Sequence, residues 1–136
     1  MLVVDTGPLV AAADVGDPDH EACMQLLGTS HGPLVVSPLV VAEAAYLIGR
    51  QLGSQFEAEF FRSISDGELF METLTTADLI RMAELVDTYV DLGLGGTDAS
   101  VVALSERHRQ PEVATLDRRH FAVVRPVHVN GFRLLP

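Results

Sequence analysis

Short apolar runs alternate with longer mixed segments along the chain, and this pattern predicts strands separated by helices. The runs Met1–Val4, Pro33–Val36 and Val113–Leu116 are typical of buried strands. Glu68–Glu72 alternates charged and apolar residues and predicts another strand, and Val123–Val129 predicts a fifth. Because strands that alternate with helices are joined by crossover connections, the pattern favours a parallel sheet with helices on both faces.

Helical segments fill the intervals between these strands. They are predicted at Leu9–Ala13, at His20–Leu27, from Pro38 to about Arg50, from Ser54 to about Ile64, from Thr76 onward, and from a capping Thr97 to about His108. The helix that Thr76 opens is amphipathic, and its predicted apolar face is Leu79, Met82, Ala83, Val86 and Val90. We therefore predict one α/β domain over residues 1–136, a three-layer α/β/α sandwich around a central, mainly parallel sheet of four to five strands.

Composition supports a folded protein in a reducing compartment. The chain has 136 residues, 48% of them hydrophobic, which is enough for a core without disulfide or metal staples. The one cysteine, Cys23, excludes an intramolecular disulfide and is expected in the core. The start carries no positive region before Asp5, and no apolar run is long enough to span a membrane. We expect a cytoplasmic protein that makes no membrane contact.

Charge is distributed unevenly over a net of −10. Residues 1–106 carry three arginines and 17 acids, a balance of −14, whereas residues 107–136 carry six arginines and two acids, a balance of +4. All nine basic residues are arginine, so a lysine Schiff base and a P-loop are excluded. The C-terminal arginines either pair with the surplus acids or form a local strip that binds phosphate.

Four acidic residues occupy unusual places in this pattern. Asp5 and Asp117 each follow a predicted strand directly, Asp98 lies in the first turn of a predicted helix, and Glu43 is the one charged residue in the apolar helix between Pro38 and Gly49. Taken singly, each aspartate could be a helix cap or a favourable charge at a helix start. Glu43 lies in a helix expected to be buried on most sides, so it needs an arginine, a cation or a wet cleft.

Together the four acids indicate a divalent cation. The carboxyl ends of parallel strands meet at one edge of a sheet, where ligands bind. Four carboxylates there would repel one another, and a hard ion such as Mg²⁺ or Mn²⁺ would relieve that repulsion. The five histidines are scattered and are more typical of surface or core residues than of a ligand set. Phe56, Phe60 and Phe61 indicate core packing or, alternatively, a dimer face.

Four short motifs that contain these acids resemble those of the PIN-domain ribonucleases. In chain order they are Val3-Val4-Asp5-Thr6-Gly7-Pro8-Leu9, Ser37-Pro38-Leu39-Val40-Val41-Ala42-Glu43, Leu94-Gly95-Gly96-Thr97-Asp98-Ala99-Ser100 and Thr115-Leu116-Asp117-Arg118-Arg119-His120-Phe121. Each motif alone is weakly specific, but four in order at fitting spacing cover nearly the whole chain. Within that family the sequence is similar to the VapC-type toxins of bacterial toxin–antitoxin pairs.

The resemblance implies an endoribonuclease, a hydrolase that depends on Mg²⁺ or Mn²⁺. Asp5 and Asp98 would be the metal ligands, and Glu43 and Asp117 would complete the catalytic set by holding a second ion or ordering water. Supporting roles fall to residues beside the acids: Thr6 and Thr97 would orient ligands, and Arg118 and Arg119 would contact phosphate. The resemblance further implies a homodimer and inhibition by a cognate antitoxin.

Two other functions stay open at this point. One is a PIN-fold module that binds RNA or protein without catalysis. The other is a metal-dependent DNA nuclease or phosphatase, which would use the same metal site.

Overall fold

A five-stranded, fully parallel sheet forms the centre of the molecule in the computed structural model, which describes residues 1–136. The strands are β1 (Leu2–Val4), β2 (Leu34–Val36), β3 (Phe70–Met71), β4 (Glu112–Ala114) and β5 (Arg133–Leu135), in the spatial order β3-β2-β1-β4-β5. The central strand β1 pairs Leu2 with Leu34 on one side and Val4 with Ala114 on the other. The predicted α/β class and parallel sheet are confirmed.

Seven helices connect the strands. They are α1 (Thr6–Ala13), α2 (His20–Thr29), α3 (Pro38–Leu52), α4 (Ser54–Ser65), α5 (Thr76–Thr88), α6 (Gly96–Arg107) and α7 (Arg118–Phe121), and a short 3₁₀ turn at Val90–Leu92 precedes α6. Helices α1 to α4 pack on one another, and α5 packs on α6. Because parallel crossovers are right-handed and the strand order reverses at β1, the two groups cover opposite faces of the sheet.

The hydrophobic core lies between the sheet and these helices. The central strand residues Val3, Val4, Val35 and Val113 have no exposed surface. Cys23 is fully buried, as the sequence analysis predicted. Among the helices, none is long and apolar enough to cross a membrane.

The fifth strand lies later in the chain than the sequence pattern predicted. Val123–Val129 contains no strand; the edge strand is instead Arg133–Leu135, in register with Glu112 to Ala114 of β4. Pro126 interrupts the predicted segment, and a proline cannot donate a ladder hydrogen bond. The apolar content of residues 123–129 therefore did not indicate strand pairing.

The predicted apolar face of α5 is buried only in part. Met82 is buried as predicted, but Leu79, Ala83, Val86 and Val90 are exposed, and Leu85 is buried instead. Buried beside them is Asp78, whose carboxylate accepts from the backbone N–H of Thr75 and pairs with an arginine at 3.0 Å. The sequence of α5 contains two overlapping sets of residues at helical spacing: the predicted apolar face, and the set Asp78, Met82 and Leu85. The second set faces the core although it contains an acid.

Two local predictions on other helices are also settled. Thr97 does not cap α6, because the helix begins one residue earlier with Gly95 at its N-cap. On α4, Phe60 is buried and joins the core, but Phe56 and Phe61 are about half exposed.

Candidate functional site

The four predicted acids converge on one cleft at the carboxyl ends of β1 and β4. The acid cleft, as we call it, has a volume of about 470 Å³ and is lined by Asp5, Glu43, Asp98 and Asp117 among other residues. Asp5 follows β1, Asp117 precedes α7, Glu43 lies on α3 and Asp98 lies in the first turn of α6. Residues more than 100 positions apart in the chain thus meet because β1 and β4 are parallel neighbours.

Asp5 is the most buried of the four acids, with 5% of its surface exposed. It occupies the N-cap position of α1, yet its side chain makes no capping hydrogen bond. Instead Asp5 Oδ2 accepts a hydrogen bond from Thr115 Oγ1 at 2.7 Å. The capping alternative is therefore excluded for Asp5, whose carboxylate is directed by the residue that follows β4.

Glu43 lies on the exposed side of an otherwise apolar helix. Between Pro38 and Gly49 the exposed positions are Ala42, Glu43 and Tyr46, and the others are buried or half-buried, so α3 is buried on most sides, as predicted. No arginine pairs with Glu43; its Oε2 accepts a hydrogen bond from Thr6 Oγ1 at 2.9 Å. Of the alternatives for Glu43, the arginine pair is excluded and a position on an open cleft is observed.

Asp98 and Asp117 share one histidine. His120 Nδ1 lies 2.7 Å from Asp98 Oδ2 and 3.0 Å from Asp117 Oδ2. Asp117 also caps α7 in the conventional way, since its Oδ1 accepts from the His120 backbone N–H at 3.0 Å. The capping alternative therefore holds for Asp117, although its carboxylate lies in the acid cleft as well.

A buried pair of serines fixes α3 against α6. Ser37 Oγ lies 2.6 Å from Ser100 Oγ and also accepts from the backbone N–H of Val40 at the start of α3. Both serines are fully buried. This contact sets the spacing of the two helices that carry Glu43 and Asp98.

Asp5 and Asp98 are poorly solvated, and the pKa of each is raised. Burial raises the pKa of Asp5 from 3.8 to about 6; hydrogen bonds from Thr115 and the Thr6 backbone oppose the shift, and the charges of Asp98 and Glu43 add to it. Burial likewise raises the pKa of Asp98, the hydrogen bond and charge of His120 lower it, and Asp117 and Glu43 raise it further. The carboxylates are thus close enough to repel one another.

The donor set fits a hard divalent cation. In three of the acids, Asp5, Glu43 and Asp98, one carboxylate oxygen accepts a hydrogen bond from a side chain and the other accepts none from a side chain. Carboxylates that bind metal ions are usually hydrogen-bonded as well, with one oxygen held by a donor and the second oxygen directed at the ion. Oxygen ligands of this kind suit Mg²⁺ and Mn²⁺.

The predicted supporting residues differ in where the structure places them. Thr6 contacts Glu43 directly, but the Thr97 hydroxyl makes no hydrogen bond to any of the acids. Arg118 is exposed and donates to the Pro136 carbonyl oxygen at 2.9 Å, and Arg119 is also exposed. Of the six C-terminal arginines, those that pair with acids are Arg107 and Arg133.

Sequence reasoning missed two residues that organise the acid cleft, Thr115 and His120. Thr115 lies in the predicted strand segment Val113–Leu116, but the register that sets it beside Asp5, with Val4 opposite Ala114, came from the fold. The three-residue spacing of Asp117 and His120, which suits a helix cap, was visible in the sequence. Its contact with Asp98 required the tertiary fold.

The sequence of this chain is similar to those of known proteins over nearly its whole length. The PIN-domain family model matches residues 2–125. The chain is 36% identical to Ribonuclease VapC26 of Mycobacterium tuberculosis over 135 residues, which cover 99% of this chain and all of that protein.

Two solved structures share the fold at low sequence identity. One is VapC20 of Mycobacterium tuberculosis, a toxin that cleaves the sarcin-ricin loop; its TM-score is 0.84 at 18% identity, covering 95% of this chain and 98% of that one. The other is FitAcB from Neisseria gonorrhoeae, with a TM-score of 0.65 at 15% identity, covering 87% of this chain and 88% of that one. The resemblance read from the four motifs is confirmed: the chain belongs to the PIN-domain family and, within it, to the VapC ribonucleases.

Proposed function

We propose that this protein is an Mg²⁺- or Mn²⁺-dependent endoribonuclease toxin whose catalytic residues are Asp5, Glu43, Asp98 and Asp117. The observation that carries the proposal is the convergence of these four acids on one cleft, with a carboxylate oxygen that has no side-chain donor on Asp5, Glu43 and Asp98. Full-length identity to a VapC ribonuclease supports RNA as the substrate.

Asp5 and Asp98 would hold the ion through the oxygens that no side-chain donor occupies. A bound Mg²⁺ or Mn²⁺ supplies Lewis-acid chemistry, neutralising phosphate charge and activating water. Thr115 and Thr6 keep the Asp5 and Glu43 carboxylates oriented, so little reorganisation is needed during the reaction. Glu43, exposed on α3, would order water near the scissile phosphate.

Labelled RNA, labelled DNA and a phosphomonoester, each incubated with Mn²⁺ and with a chelator, test the proposal. We expect internal cleavage of RNA with Mn²⁺, none with the chelator, and no turnover of the other two substrates. Cleavage of DNA or release of phosphate would favour the nuclease or phosphatase alternative. RNA binding with no cleavage in Mn²⁺ or Mg²⁺ would favour the non-catalytic module.

The proposed inhibitor is a cognate antitoxin that places an arginine in the acid cleft. A guanidinium pairs bidentately with carboxylates and stays charged, and the balance of −14 over residues 1–106 attracts a basic peptide. Substituting that arginine with alanine is expected to restore RNA cleavage in the complex. If inhibition persists and crosslinks map the antitoxin away from the four acids, the arginine mechanism is wrong while the ribonuclease proposal stands.

A cytoplasmic homodimer completes the proposal. The exposed apolar side chains of Leu79, Ile80, Val86 and Val90 on and after α5 form a stripe that self-association would remove from water. Light scattering during size-exclusion chromatography is expected to give twice the chain mass, and Val86→Glu is expected to reduce it. A monomeric wild type would contradict the dimer.

A further inference from the structure

His120 is the one protein partner that both Asp98 and Asp117 have in the acid cleft. The Asp98 carboxylate accepts a single hydrogen bond, from His120 Nδ1 at 2.7 Å. Asp117 Oδ1 accepts a hydrogen bond from the His120 backbone N–H at 3.0 Å, and Asp117 Oδ2 lies 3.0 Å from the same Nδ1. Without the imidazole, Asp98 would have no side-chain or backbone donor at all.

The geometry assigns the proton on the imidazole. Both neighbours of Nδ1 are carboxylate oxygens, which accept hydrogen bonds, so Nδ1 must carry a hydrogen and donate it. The imidazolium and the neutral ring with its hydrogen on Nδ1 both meet this requirement. The imidazole is also largely enclosed, with 16% of its side chain exposed, which restricts its orientation.

The imidazole of His120 joins two separate elements. Asp98 lies in the first turn of α6, and Asp117 lies in the loop between β4 and α7. Asp117 is 37% exposed and, apart from this contact and its cap, nothing restrains its rotation. The Asp98 and Asp117 carboxylates, which both lie beside Nδ1, would repel each other and separate unless a donor lay between them.

We propose that His120 is a positioning residue: its Nδ1 donates to Asp98 and lies against Asp117, and so pre-orients both carboxylates for the divalent ion. This inference rests on the proposed metal-dependent function. Nδ1, the ring nitrogen that faces both acids, carries a hydrogen and offers no lone pair to an ion between them, so His120 contributes there by orienting ligand oxygens. Outer hydrogen-bond partners of this kind typically contribute about 10–100-fold to metal affinity.

Calorimetric titration with Mn²⁺ and with Mg²⁺ tests this role in the full chain. The variants are His120→Ala, which removes the donor; His120→Asn, whose amide nitrogen reproduces the position of Nδ1; and His120→Gln, whose amide nitrogen does not. The matched control is His20→Ala, which removes a partly buried histidine whose Nδ1 contacts Ala11 at 2.9 Å outside the acid cleft.

We expect His120→Ala and His120→Gln to weaken both ions by roughly 10–100-fold and by similar factors. His120→Asn should restore affinity to near the wild-type value, and His20→Ala should leave it unchanged. Melting curves in chelator confirm that each variant is folded. Should the alanine variant not fold, the comparison of Asn with Gln carries the test, since both are polar and differ in where the donor lies.

Three results would overturn the inference. Wild-type affinity in His120→Ala or His120→Gln would show that the hydrogen bond does not matter for the ion. A loss confined to Mn²⁺, not rescued by Asn, would make His120 a nitrogen ligand, since Mn²⁺ accepts nitrogen more readily than Mg²⁺. A wild type that binds neither ion would overturn the proposed metal dependence as well, whereas the first two results leave it intact.

Discussion

Asp5→Asn should make the metal-free protein more stable at neutral pH, although it removes a proposed metal ligand. Burial holds the pKa of Asp5 at about 6, against an ordinary value of 3.8. Each pKa unit corresponds to about 1.4 kcal/mol, so the buried charge destabilises the folded state by about 3 kcal/mol when fully ionised. The amide accepts one hydrogen bond fewer than the carboxylate, at a cost of about 1 kcal/mol. We expect a net gain of about 2 kcal/mol.

The pH dependence of this gain follows from the direction of the shift. Because the folded-state pKa lies above the unfolded one, the folded protein binds the proton more tightly. The destabilisation of the wild type is therefore complete well above pH 6, decreases as the pH falls from about 6 towards 3.8, and is absent below that range. The difference between Asp5→Asn and wild type should shrink over the same interval.

Urea unfolding in chelator at pH 8, 6 and 4.5 measures the difference. The control is Asp91→Asn, an exposed aspartate outside the acid cleft, which should change the free energy of unfolding by less than about 0.5 kcal/mol at each pH. The reasoning fails if Asp5→Asn is no more stable than wild type at pH 8, or if its gain is the same at pH 4.5 as at pH 8.

Three further predictions concern the ion and the packing. Mn²⁺ at about 100 times its Kd should raise the free energy of unfolding by about 2.7 kcal/mol in wild type and by far less in Asp98→Asn. Thermal unfolding measures both shifts, and equal shifts would contradict metal binding by Asp98. Ser37→Ala removes the α3 cap and its contact with Ser100 and should cost about 1–2 kcal/mol in urea unfolding, whereas a neutral result would deny its role. Arg81→Ala should cost about 2–3 kcal/mol, since Arg81 donates at 2.9 and 3.0 Å to the largely buried carboxylate of Glu106; an unchanged urea midpoint would contradict this.

The parallel sheet was predictable because its central strands are buried on both faces. Apolar runs such as Leu2-Val3-Val4 and Leu34-Val35-Val36 leave few alternatives to a covered strand. The edge strand β5 was not predictable in the same way, because Arg133 is exposed and Leu134 is half-buried, which gives little periodic signal. Whether a segment such as β5 pairs at the edge of a sheet depends on which strand lies beside it in the fold.

Identification of the acids was possible because each stands where its chemistry conflicts with its surroundings. Asp5 directly after a buried strand is such a case, and its burial is confirmed. For Glu43 the wet cleft was one of three alternatives, since the apolar content of α3 does not reveal which of its faces lies against α1 and α4. Thr115 and His120 act through hydrogen bonds to residues distant in the chain, and such contacts exist in the fold alone.

The most direct test of the central claim is the rate of RNA cleavage by Asp98→Asn, purified in parallel with wild type and with the control Asp91→Asn. The substitution preserves the shape of the side chain and removes its charge, so the fold is retained while the proposed ligand is lost. The account predicts that with Mn²⁺ the cleavage rate of Asp98→Asn falls by orders of magnitude while Asp91→Asn cleaves as wild type does. Near wild-type cleavage by Asp98→Asn would contradict the assignment of the acid cleft as the catalytic centre.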